Sequence, residues 1–109
     1  MRKTLKFEIE LDENNLPLNI EMHASDGAAV ENNIKALMVS AWAAKTKETL
    51  RIDLWAKDMP VNEMFIMYHQ TMMGMADTLG QSTGHAKLAG ALRDYCEFFA
   101  EETEIKGAK

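Results

Sequence analysis

One cysteine, three histidines, nine methionines and seventeen carboxylates are the residues of this 109-residue chain with the most chemistry to offer. Nucleophilic or acid–base catalysis needs a nucleophile, a base and an orienting group in one constellation, and Asp53, Asp58, Glu63, His69 and Asp77 form no such pattern along the chain. His23, His69 and His85 have neither His-x-x-x-His nor Cys-pair spacing, so they do not read as one metal site. Thioethers are soft ligands for Cu(I), but Met64, Met72 and Met75 fall on one helical stripe while Met67 and Met73 point elsewhere. The run from Asp12 to Asn15 lacks the glycine and the distant bidentate glutamate of a calcium loop, and reads as a hairpin turn. Asp26-Gly27 is followed by no P-loop lysine and no dinucleotide fingerprint, so helix capping is its expected role. No catalytic residue, metal or cofactor is expected.

Composition narrows the partners. A net charge of −5 works against an electrostatic grip on nucleic acid or on an anionic membrane surface. Arg2 and Lys3 are followed by an alternating amphipathic segment where a signal peptide would carry an apolar core. No apolar run approaches the roughly 20 residues that span a bilayer. The expected setting is the cytoplasm, without direct membrane insertion. Cys96, the single cysteine, can form no intramolecular disulfide. With Leu92, Tyr95 and Phe99 at helical spacing around it, it reads as a small buried hydrophobe.

The elements that must position these residues follow from periodicity. Leu5, Phe7, Ile9 and Leu11 alternate with Lys6, Glu8 and Glu10, the period of a half-buried strand. After the Asp12–Asn15 turn, Leu16, Leu18, Ile20 and Met22 form a returning strand, and Pro17, which has no N–H to donate, places it at a sheet edge. Ile34, Leu37, Met38, Ala41 and Trp42 share one helical face and predict a first helix over about 28–44. Leu50, Ile52 and Leu54 alternate with Arg51, Asp53 and Trp55 as a third strand. A second helix is expected from Asp58 as N-cap, with Pro60 in its first turn, and to end in the Gly80–Gly84 segment. A third presents Leu88, Leu92, Tyr95, Cys96 and Phe99, followed by a loose tail over 106–109. The expected fold is α+β, a single-domain two-layer ββαβαα arrangement over about 5–102. Its three-stranded antiparallel sheet has the order 2-1-3, with the helices on one face.

Two features go beyond a minimal core. Ile66, Met67 and Met73 project roughly opposite the main apolar face of the second helix. They suit either burial between two layers or a homodimer or partner groove, where flexible Met side chains adapt to another surface. The uncovered sheet face is expected to carry Lys6, Glu8, Glu10, Asn19, Glu21, His23, Arg51, Asp53 and Trp55. Trp and Arg are enriched among interface hot spots, so Arg51 and Trp55 are candidate partner-binding residues.

The block KTKETLRIDLWAKDMPVNEM from Lys45 to Met64, with LDENNLP near the start and RDYCEFFAEE from Arg93, resembles the GldC family of gliding motility-associated accessory proteins of Bacteroidota. The resemblance spans about 5–102 and contains no catalytic motif. It implies a non-enzymatic accessory protein that acts by binding a component of the gliding motility or type IX secretion machinery. Through that partner it would sit at the cytoplasmic side of the inner membrane. The alternative is a small-ligand or metal-binding domain with its pocket between the sheet and the Met-rich helix.

Overall fold

The computed structural model describes residues 1–25 and 31–105 and divides the chain into two compact units, Met1–Met59 and Pro60–Lys109. The fold class is α+β; among the described residues there are five strands, all in the first unit, and two helices, both in the second.

In the first unit, β1 (Leu5–Leu11), β2 (Pro17–Ala24) and β3 (Glu31–Ile34) form an antiparallel sheet in the order β1-β2-β3. Cross-strand partners lie on the same face of a sheet. Ile9, Ile20 and Ile34 therefore make an apolar row across all three strands, flanked by Phe7 opposite Met22. Lys6 opposite His23, Glu8 opposite Glu21 and Glu10 opposite Asn19 make the polar face. Ile20 is the fully buried centre of the sheet. A separate two-stranded ribbon consists of β4 (Ala36–Ala43) and β5 (Glu48–Trp55), paired in register from Ala36–Trp55 to Ala43–Glu48. The backbone N–H of Ala56 donates to the Lys35 carbonyl (2.7 Å) and that of Lys57 to the Pro17 carbonyl (2.9 Å), so the end of β5 is tied to both sheets. Lys35 Nζ adds a bond to the Leu18 carbonyl (3.1 Å) and lies 3.5 Å from Asp58.

The turn between β1 and β2 is organised by one carboxylate. Asp12 Oδ1 accepts from the N–H groups of Asn14 (2.8 Å) and Leu16 (3.0 Å), Oδ2 accepts from Lys57 Nζ (2.8 Å), and Asn15 takes up a left-handed φ of 63°. The lysine hydrogen bond, then the Leu16 N–H, holds the Asp12 pKa down at about 2, against an ordinary 3.8. A lowered carboxylate pKa contributes stability that is complete above the unfolded value and disappears as pH falls through the folded one. Acid titration of thermal stability is therefore expected to show a loss between about pH 4 and pH 2 that Asp12→Asn removes. An unchanged acid profile in that variant would assign the loss to other carboxylates.

The second unit is a helical hairpin of α1 (Val61–Thr83) and α2 (Ala86–Thr103). The buried positions Ala76, Ala89, Cys96 and Ala100 are small, which lets the helices approach closely, and a Cβ on Gly80 would stand 3.3 Å from that of Ala89. Gly84 closes α1 with a left-handed φ of 70°, its N–H bonded to the Gly80 carbonyl (2.9 Å). His85 caps α2, Nδ1 accepting from the Leu88 N–H (3.2 Å). Phe65, Tyr68 and Tyr95 all contact Phe99, with ring centroids 6.0–6.4 Å apart, and Arg93 bonds Asp77 (2.8 Å) across the hairpin.

Several expectations are corrected. The helix over 28–44 does not form: Glu31–Ile34 and Ala36–Ala43 are strands, while its first residues, with Asp26 and Gly27, lie outside the described residues. The element order is therefore βββββαα, and a β1-β2-β3 sheet plus a ribbon replace the 2-1-3 sheet. Pro17 begins a central strand. It sits at the strand's first position, beside a register shift and outside the stretch of β2 that pairs with β3, so its missing N–H costs no central ladder bond. Asp58 pairs with Lys35 and does not cap α1; Pro60 holds that position without a side-chain cap. The end of α1 is as expected, at Thr83 with Gly84 as C-cap, within the Gly80–Gly84 segment. The tail over 106–109 lies outside the described residues.

Candidate docking surface

The β4–β5 ribbon has two unlike faces. On one, Leu37 pairs with Leu54, Val39 with Ile52 and Ala41 with Leu50. On the other, Ala36 pairs with Trp55, Met38 with Asp53, Ser40 with Arg51 and Trp42 with Thr49. Trp42 is therefore the diagonal neighbour of Arg51 on the second face, and it is 65% exposed. The Arg51 guanidinium is fixed in place by bonds to Ser40 Oγ (2.6 Å) and Asp53 Oδ1 (2.7 Å), with half of its side chain still accessible. A large amphipathic ring beside a pre-oriented guanidinium can stack on or hydrogen-bond a partner at small cost in rotamer entropy.

The two sequence candidates of this region share that face, Arg51 exposed and Trp55 half-buried at the ribbon's end. The polar set expected on one sheet is split, because Lys6 to His23 lie on the three-stranded sheet and Arg51, Asp53 and Trp55 on the ribbon. Ile66, Met67 and Met73 are all half-buried on α1. The exposed apolar side chains of the helical hairpin are elsewhere: Val61, Tyr68 and Met75 at heptad spacing on α1, and Leu88, Tyr95 and Phe98 on α2. Cys96 is fully buried, and desolvation pushes its thiol pKa up, away from thiolate reactivity.

Sequence reasoning missed Trp42, which the helix reading placed on a different element. The signal for it was present. Reading 36–43 as the partner strand of 48–55, about the turn Ala44–Lys47, puts Trp42 two positions from the residue opposite Arg51.

Among the described residues no helix is long and apolar enough to cross a membrane, and the most exposed tryptophan of this α+β chain stands beside a fixed arginine. Residues 17–105 match the family described as "Gliding motility-associated protein GldC-like", and the chain belongs to that family. No curated protein and no solved structure matches it.

Proposed function

We propose that this chain is a non-catalytic accessory protein that acts by binding a protein component of the gliding motility or type IX secretion machinery. It would do so on the cytoplasmic side, through the Trp42–Arg51–Trp55 face of the β4–β5 ribbon. Family membership supplies the process. The observation that carries the mechanism is the 65% exposed Trp42 beside an arginine whose geometry Ser40 and Asp53 fix in advance. Trp and Arg at one spot are the residue types that dominate interface energetics, and pre-ordering lowers the cost of association. Ile66, Met67 and Met73 on α1 supply a second contact area, for the same partner or for a second copy of the chain.

Crosslinked pull-down from the native cells, with mass spectrometry, tests the proposal. Motility or secretion components are expected with the wild-type chain and are lost with Trp42→Ala or Arg51→Ala while circular dichroism stays native. Equal recovery with well-folded variants would overturn the assignment of this face. Recovery of no such component would overturn the docking role itself.

A further inference from the structure

On the polar face of the three-stranded sheet, two glutamates stand directly opposite one another across β1 and β2, an arrangement that ordinarily destabilises a strand pair. His23, two residues along β2 from Glu21, reaches into the space between them. Its Nε2 lies 3.0 Å from Glu8 Oε1 and 3.6 Å from Glu21 Oε1. Donor atoms of all three residues fall within 4.8 Å of one another, and among the described residues this is the one trio of His, Cys, Asp or Glu so placed. Close as Nε2 is to Glu8, the alignment fails as a hydrogen bond, and the nitrogen is shielded from solvent with no bonded partner. A second orphan stands two residues from Glu21 on the other side. Asn19 donates through Nδ2 to the Asn32 carbonyl (2.8 Å), which leaves its buried Oδ1 as an unsatisfied acceptor. Asn19 lines the same shallow depression as Glu8, Glu10 and Glu21.

We propose that Glu8, Glu21 and His23 form a site for a divalent transition-metal ion of the zinc class. Bonds of about 2.0–2.1 Å to imidazole nitrogen and carboxylate oxygen place tetrahedral ligands roughly 3.3 Å apart, and the two distances from His23 Nε2 bracket that edge. Two carboxylates and one imidazole suit Zn2+ better than Ca2+ or Mg2+, which prefer all-oxygen shells. Three protein ligands leave a fourth position for water or for a group from a partner. The ion would neutralise the paired carboxylates and hold β1 against β2 at the centre of their ladder. Lys6, whose ammonium is 3.8 Å from Glu8, is the competing cation already on this face.

Calorimetric titration of the purified chain with Zn2+ alone, together with visible absorption of the Co2+-loaded protein, tests the site. One ion per chain is expected. His23→Ala and the isosteric Glu8→Gln should each weaken binding by at least about tenfold, the lower end of what even outer-shell changes cost at metal sites. Lys6→Gln should tighten it, which no purely structural role for the histidine predicts. Absence of measurable Zn2+ binding to the folded chain would overturn the proposal. So would binding that His23→Ala and Glu8→Gln leave unchanged, because the ion would then belong to His69, His85 or the exposed surface.

Discussion

Ile20→Ala is expected to destabilise the protein by about 3 kcal/mol, within the roughly 2–5 kcal/mol seen when a buried aliphatic side chain is cut to alanine and a cavity remains. Ile20 lies on the central strand of β1-β2-β3, between Ile9 and Ile34, and it and Cys96 are the largest fully buried side chains among the described residues. Few large side chains are so enclosed, so little neighbouring apolar mass is available to collapse into the space. Net stabilities of about 5–15 kcal/mol make a loss of this size a substantial fraction of the total. Ile9→Ala, one position along the same cross-strand row but 40% exposed, should cost clearly less. Urea unfolding of the two variants measures both values. Equal losses would mean that Ile9 is enclosed in solution as thoroughly as Ile20.

Where a single period fits, the sequence was a good guide to the element. β1 carries Leu5, Phe7 and Ile9 on one face and Lys6, Glu8 and Glu10 on the other, and no second period fits those seven residues. The turn at Asp12 and the two helices were legible as elements for the same reason, but Leu88 and Tyr95, read on the same face as the buried Cys96, are 51% and 50% exposed. The stretch 36–43 was not legible. Leu37, Met38, Ala41 and Trp42 satisfy a helical face, yet Leu37, Val39 and Ala41 alternate equally well with Met38, Ser40 and Trp42. Both sides of this strand carry large apolar groups and its alanines favour helix, so local propensity gave the wrong answer. What decides it is nonlocal: Glu48–Trp55 requires a ladder partner, and 36–43 lies one short turn away.

The candidate site inherits that error. Arg51 and Trp55 were readable as one face because they alternate along a single strand, whereas Trp42 joins them only through strand pairing. The same limit applies to Glu8, Glu21 and His23. Their separation along the chain resembles no ligand motif, and only the register, Glu8 opposite Glu21 and Lys6 opposite His23, brings them together.

Trp42→Ala should reduce affinity for the partner recovered from cells by about 30-fold or more, the equivalent of the roughly 2 kcal/mol that marks an interface hot spot. It should change folding stability by no more than about 0.5 kcal/mol, because a side chain 65% exposed in the free chain has little packing to lose. Arg51→Lys separates charge from geometry. The ammonium keeps the positive charge but cannot reproduce the planar fork that bonds Ser40 and Asp53, so affinity should fall toward the value for Arg51→Ala. Leu50→Asp is the control for the ribbon's orientation: Leu50 is 60% exposed but lies on the opposite face. Partner binding that survives Leu50→Asp and fails with Trp42→Ala would assign docking to the Arg51 face. The reverse pattern would move it to the Leu50–Ile52 face, where apolar burial alone, without a fixed guanidinium, would have to supply the specificity.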